Sequence, residues 1–221
     1  MNIVKFVFNP LQENTFVVWD QTLECIIIDA GNSSVRENSR LTEFITEQKL
    51  KPVMAVNTHG HFDHLLGVKY LKDTYNIPFA LSSKDEFLRQ MATINFAMFC
   101  EEGMEEPPQI DIDLETIDSI KFGESCLKII RTPGHTPGGV CLYHEQSEQM
   151  FTGDTLFREC IGRSDLPGGS YSSLMHSILE NLIPMGDEVT IYPGHGDKST
   201  IGHESLYNPF VVEAINGEIN F

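Results

Sequence analysis

Basic residues are scarce in this chain. Against 32 Asp and Glu, its 221 residues hold only 15 Lys and Arg, a formal net charge of -17. A field of that sign repels phosphate backbones and anionic lipid surfaces, which argues against a nucleic-acid or membrane partner. Long apolar runs are missing as well. The first apolar stretch stops at Phe8 and is interrupted by Asn9, Pro10, Gln12, Glu13 and Asn14, so neither a signal-peptide core nor a membrane span is expected. Cysteine is sparse. Cys25, Cys100, Cys126, Cys141 and Cys160 are widely spaced, with no CxxC pair. An odd, scattered set reads as reduced thiols in a cytoplasm and not as a disulfide framework. No Pro/Gly/Ser-rich linker divides the chain, so one domain over residues 1–221 is expected.

What the chain does have is a concentration of metal-ligand chemistry. Thr58, His59, Gly60, His61, Phe62, Asp63 and His64 place three imidazoles and a carboxylate in the order His-x-His-x-Asp-His. Histidines at i and i+2 would point to opposite faces of a strand, so a turn is needed for them to converge, and Gly60 allows one. Neutral imidazole and carboxylate suit zinc, iron and manganese. Three further candidates each follow an apolar β-run: His135 in Pro133-Gly134-His135-Thr136-Pro137-Gly138, Asp154 in Thr152-Gly153-Asp154, and His195 in Pro193-Gly194-His195-Gly196. Together these supply five histidines and two aspartates, enough for two adjacent divalent ions, with Asp154 suited to bridge them. His144, His176 and His203 read as surface or locally satisfied residues.

The periodicity predicts strands over residues 2–8, 14–19, 24–29, 53–56, 79–81, 115–120, 126–131, 139–143, 149–152 and 188–192. Helices are expected over 35–50, with Ser33 or Ser34 as N-cap, then from 63 or 64 through 71, and over 83–99 and 171–182. Residues 101–108 are acidic, hold two prolines and read as a surface loop; residues 199–210 read as a loop with one short helix. The Met- and Phe-rich segment 87–99 reads as core. The order β-rich, α, β-rich, α suggests two mixed sheets with helices outside, an α/β (α+β) class. The ligand motifs then fall where strands end, the usual position of α/β sites.

These motifs resemble the metallo-β-lactamase-fold superfamily, and within it the glyoxalase II-like (hydroxyacylglutathione hydrolase-like) branch. The likeness runs through Asn14-Thr15, Asp29, Thr58–His64, Pro133–Gly138, Thr152–Phe157, Gly162–Gly169 and Tyr192–Gly196, then Thr200, Gly202, Glu204 and Asn208-Pro209. It implies a four-layer αβ/βα sandwich. It implies His59, His61 and His135 on one metal, Asp63, His64 and His195 on the other, and Asp154 bridging. The ions would be zinc, with iron or manganese as alternatives. The implied substrate is a small-molecule acyl thioester, attacked by hydroxide generated between the ions, with Asp63 also orienting the nucleophile and a thiolate leaving. Asp29 is expected behind the ligands, accepting an imidazole N–H. Arg163 and Tyr171 fall where family members contact the thiol carrier.

The likeness to glyoxalase II is incomplete. That enzyme carries a C-terminal helical domain with basic residues for glutathione, whereas the 26 residues after His195 contain one lysine, Lys198, and no arginine. A second reading is a mononuclear Fe(II) persulfide-dioxygenase-like enzyme using His59, His135 and Asp154 as a facial triad. Other superfamily hydrolases, acting on lactones or β-lactams, form a third. A catalytically idle module would require lost ligands, and none is missing.

Overall fold

The computed structural model describes residues 1–98 and 104–217. The chain forms two compact units, Met1–Cys126 and Leu127–Phe221.

In the N-terminal unit, β1 (Asn2–Phe8), β2 (Glu13–Trp19), β3 (Glu24–Ile28), β4 (Lys51–Val56), β5 (Phe79–Leu81) and β6 (Ile112–Asp113) form one sheet in that order. β1–β2–β3 are antiparallel, and the pairs from β3 to β6 are parallel. Parallel neighbours need crossovers, and helices supply them. α1 (Val35–Glu47) joins β3 to β4, α2 (Phe62–Leu65) and α3 (Val68–Tyr75) join β4 to β5, and α4 (Glu86–Ala97) leads towards β6. Cys25 to Ile28 are wholly buried, as a nearly continuous apolar run demands of a strand covered on both faces. Ser34 is the cap of α1, its hydroxyl accepting the Glu37 N–H at 3.3 Å. β7 (Ser119–Phe122) then leads into the Gly123 turn.

Three expectations in this unit are corrected. The helix expected from Asp63 to Leu71 is two helices, because the Gly67 N–H turns to the Ala30 carbonyl at 2.7 Å and leaves the helical ladder. Gly67 also has no room for a side chain: a Cβ there would lie 1.9 Å from Asn32 Oδ1. The strand expected over 115–120 is instead β6 and β7. Between them Asp113 Oδ1 accepts the Glu115 N–H at 3.0 Å, an Asx turn that takes Glu115 out of the ladder. The helix expected over 83–99 opens with a 3₁₀ turn at Ser83–Asp85 before α4. Its last residue, Phe99, lies outside the described residues, as do Cys100 and residues 101–103 of the expected loop. α4 buries Leu88, Ala92 and Phe96, while Ile94 and Met98 are exposed, so the segment is core on one face only.

The turn after β2 carries a prediction. Asp20 is buried, and burial by itself would raise its pKa. Hydrogen bonds from the Thr22 hydroxyl and N–H, the Glu124 N–H and the Ser125 hydroxyl outweigh this and hold it at about 2. A depressed carboxylate stabilises the fold above its ordinary pKa of about 4 and loses that contribution as pH falls through 4 towards 2. A shift of this size corresponds to about 2 kcal/mol. Asp20→Asn is therefore expected to unfold at lower denaturant than wild type at pH 6. That gap should close as pH approaches 2, and a constant gap would contradict the assignment.

In the C-terminal unit, β8 (Ser125–Arg131, beginning just before the boundary), β9 (Val140–His144), β10 (Gln149–Gly153), β13 (Thr190–Pro193) and β14 (Ser199–Thr200) form a sheet ordered β14-β13-β10-β9-β8. β8–β9–β10 is the expected antiparallel block, and β10 pairs with β13 in parallel. β11 (Leu156–Phe157) and β12 (Cys160–Ile161) make a short ribbon. α5 (Tyr171–His176) continues into a π-helical turn, Ser177–Leu182, where the Ile183 N–H reaches the Ile178 carbonyl. The tail corrects the expected loop over 199–210: it holds α6 (Ile201–Tyr207) and α7 (Pro209–Ile215). Each has its own cap, Thr200 Oγ1 accepting the His203 N–H at 3.1 Å and Asn208 Oδ1 the Phe210 N–H at 3.2 Å, with Pro209 at the first helical position.

Among the described residues no helix is long and apolar enough to cross a membrane. The four described cysteines form no disulfide. Burial pushes the Cys25 thiol up to about 12 and the Cys141 thiol to about 11, which makes both inert.

Candidate metal centre

The His-x-His-x-Asp-His turn begins where β4 ends, and its main chain is held from several sides. The Thr58 N–H donates to Asp29 Oδ1 at 2.7 Å and the Gly60 N–H to Asp85 Oδ2 at 2.9 Å. Asn57 Nδ2 donates to the His64 carbonyl at 2.6 Å, and Asn9 Nδ2 to the Asp63 carbonyl at 3.0 Å. The need for glycine at position 60 differs from the expected one. Gly60 is not in the left-handed region; its constraint is space, since a Cβ would sit 2.8 Å from Asp85 Cβ. His59, His61, Asp63 and His64 are all buried.

Hydrogen bonds fix which imidazole nitrogen carries the proton. The Thr58 hydroxyl lies 2.7 Å from Asp29 Oδ2 and 3.1 Å from His59 Nδ1. A hydroxyl has one proton, and the carboxylate can only accept, so Thr58 donates to Asp29 and accepts from the His59 Nδ1–H. His64 Nδ1 lies 3.2 Å from Asp29 Oδ2, an ion-pair distance without the geometry of a hydrogen bond. In the His59 ring the lone pair is then on Nε2, the arrangement a metal-ligating histidine requires. His64 Nε2 is 3.7 Å from Asp63 Oδ2, and the candidate ligand atoms of Asp29, His59 and His64 lie within 4.8 Å of one another. Asp29 thus sits beside His59 and His64 and is joined to His59 through the Thr58 hydroxyl.

Glu13 is the residue that sequence reading missed. It is wholly buried, accepts the Thr15 hydroxyl on Oε2 at 2.8 Å, and brings Oε1 to 4.0 Å from His64 Nδ1. Burial pushes its carboxyl well above the usual range, with His64 opposing that rise. Nothing in the sequence marks it except its place beside Asn14-Thr15. Asp85, also buried, carried no signal either.

In the C-terminal unit strand register does the positioning. Gly153 of β10 pairs with Pro193 of β13, and the Gly194 N–H donates to the Gly153 carbonyl at 2.8 Å. Asp154 and His195, one or two residues beyond that pair, therefore emerge side by side. Asp154 Oδ2 lies 3.7 Å from His195 Nε2 and 3.6 Å from His135 Nε2, so one carboxylate oxygen faces both rings. His135 comes from the β8–β9 loop, closed by the Thr132 N–H to the Gly139 carbonyl at 2.8 Å. Its Nδ1 is 2.7 Å from the Arg163 carbonyl, which can only accept, so here too Nε2 carries the lone pair.

The substrate-contact candidates divide. Arg163 acts through its carbonyl, while its exposed guanidinium is held bidentately by Asp165, with both contacts at 2.8 Å. Tyr171 opens α5, half-buried against that unit's core. The remaining histidines have local partners: His144 with Ser147 at 2.6 Å, His176 with Glu180 at 3.0 Å, and His203 with Glu159 at 2.9 Å.

The donors are thus imidazoles and carboxylates, with the ring protons of His59 and His135 committed elsewhere, and they fit divalent zinc, iron or manganese. Residues 8–195 match the family model described as the metallo-β-lactamase superfamily. A protein of Haemophilus influenzae named hydroxyacylglutathione hydrolase GloC is 34% identical, over 96% of this chain and 98% of its own length. Among solved structures, BLEG-1, a B3 metallo-β-lactamase, superposes with a TM-score of 0.87 at 30% identity, covering 95% of this chain and 99% of that one. TTHA1623, solved in a di-iron-bound form, gives 0.83 at 31% identity, over 94% and 99%.

Proposed function

The chain belongs to the metallo-β-lactamase superfamily, whose fold it carries, and we propose that it is a binuclear metal-dependent hydrolase of small acyl thioesters, of the glyoxalase II-like branch. The observation that carries the reading is the single Asp154 oxygen facing both His135 and His195, as a carboxylate shared by two ions would. His59, His61 and His135 would hold one ion, Asp63, His64 and His195 the other, with Asp154 common to both. Divalent ions bound there supply Lewis acidity towards a carbonyl and lower the pKa of water towards neutrality.

The chain's own residues prepare that chemistry. Thr58, itself held by Asp29, and the Arg163 carbonyl hold the ring protons of His59 and His135 on Nδ1 and so keep Nε2 as the donor atom. Asp63, whose Oδ2 lies 3.7 Å from His64 Nε2, would also orient the attacking water through its carboxylate. Zinc is the ion we assign and the cytoplasm the compartment.

Support for a thioester comes from the Haemophilus influenzae relative, named for hydroxyacylglutathione hydrolysis and alike over 96% of this chain. The likeness to BLEG-1 at 30% identity favours a second reading, opening of a β-lactam ring. One experiment separates them. Zinc-reconstituted protein is expected to hydrolyse S-lactoylglutathione in a chelator-sensitive manner, at a kcat/KM at least ~100-fold above that for a chromogenic cephalosporin, a preference worth about 3 kcal/mol in the transition state. The reverse preference would transfer the assignment to the β-lactam reading.

A further inference from the structure

The tail motif Thr200…Glu204…Asn208-Pro209 lies outside every ligand and substrate position assigned above, yet it contains a wholly buried carboxylate. Glu204, in α6, is 0% exposed, and its described contacts are hydrogen bonds from neutral donors. Oε1 accepts the Ser199 hydroxyl; Oε2 accepts the Glu159 N–H at 2.7 Å and Asn208 Nδ2 at 2.9 Å. Asn208 Nδ2 also reaches the Cys160 carbonyl at 3.0 Å, and His203 Nε2 reaches Glu159 Oε1 at 2.9 Å. Three residues of one helical stretch thus converge on the tip of the β11–β12 ribbon. Glu159 stands there at a φ of +56°, a left-handed conformation uncommon for a non-glycine residue.

The ribbon has a position in the site. It begins two residues after Asp154 and ends one residue before Gly162-Arg163, whose carbonyl orients His135. Ser199 has a position too. Paired with Ile191, it closes the loop that carries His195. Glu204 therefore bonds at once to the ribbon that connects Asp154 with the Arg163 carbonyl and to the residue that closes the His195 loop.

We propose that Glu204 is a positioning residue that holds the C-terminal unit's metal ligands, Asp154, His135 and His195, in register with one another. It touches no ligand and acts through the ribbon and the loop. The inference rests on the metal reading given above.

Competition with a chromogenic chelator measures the zinc affinity of wild type and variants without relying on turnover. Glu204→Ala removes both acceptor oxygens and their three hydrogen bonds and is expected to weaken binding of at least one ion by ~10-fold or more, the size typical of lost support behind a ligand. Glu204→Gln can turn its amide nitrogen towards the rotatable Ser199 hydroxyl and keep its oxygen on Glu159 and Asn208, so it is expected to stay within ~3-fold of wild type. Asp20→Asn, which destabilises a remote turn, is expected to bind both ions as wild type does. Asn208→Ala removes two of the clamp's bonds, loosens the same ribbon and gives the same readout should the Glu204→Ala protein not fold.

Wild-type affinity in Glu204→Ala with a lowered melting temperature would make the residue a stability element only and overturn the proposal. So would an equal loss of affinity in Asp20→Asn. Failure of the wild-type protein to take up metal would instead remove the metal reading, and this inference with it.

Discussion

Gly162→Ala is expected to reduce hydrolysis by ~100-fold or more and to release metal on gel filtration, while leaving the secondary structure in place. A Cβ at position 162 would lie 1.8 Å from the Asp154 carbonyl oxygen and 3.1 Å from His135 Nδ1. Contacts under 3.0 Å must be relieved, and the first of these is to backbone, which cannot swing aside like the end of a side chain. Residues 161–163 or Asp154 have to move by about 1 Å, and a misplacement of that size at a catalytic site is costly. Either movement lengthens the 2.7 Å bond from His135 Nδ1 to the Arg163 carbonyl or displaces the carboxylate that faces two imidazoles. Metal analysis, turnover and circular dichroism on the same sample check the three parts. Wild-type metal content and rate would mean that the ribbon is more compliant than this geometry allows.

Asp29→Asn is the second large effect, and it tests the tautomer argument. Asp29 stands at a φ of +51°, which asparagine tolerates, so the backbone is left unstrained. The carboxylate accepts two protons, from the Thr58 N–H and from the Thr58 hydroxyl, which in turn faces His59 Nδ1 at 3.1 Å. An amide offers one oxygen. If that oxygen keeps the Thr58 N–H, the NH₂ group faces a hydroxyl that needs an acceptor. The Thr58 hydroxyl then turns its proton to His59 Nδ1, and His59 carries its own proton on Nε2, the atom required for the metal. Metal affinity is expected to fall between ~10- and ~100-fold, measured by competition with a chelator. An unchanged affinity would show that Asp29 does not choose the tautomer.

The candidate site was legible in the sequence to the extent that its residues lie in short, dense motifs after β-runs. His59, His61, Asp63 and His64 fall in one turn, and the approach of Asp154 to His195 follows from two strand ends in parallel register. The supporting residues were not legible, because their contacts join distant positions. Glu13 meets His64, and Asp85 meets Gly60, through folding alone. The break between α2 and α3 escaped for the same reason: periodicity continues through Gly67, and only its bond to the Ala30 carbonyl stops the helix. The tail is a different case. Thr200 and Asn208-Pro209 are ordinary helix-start signals, and weighing them above the polar composition of residues 199–210 would have given two helices.

A two-metal thioester hydrolase is tested by turnover of S-lactoylglutathione by metal-free protein as zinc is added stepwise. Little activity is expected up to one equivalent per chain, then a rise between one and two, and a plateau at two that a chelator reverses. Full activity at one equivalent would contradict a shared role for Asp154. Two bound ions with no thioester turnover would contradict the assigned reaction, and a chain that takes only one iron would move it to the dioxygenase reading.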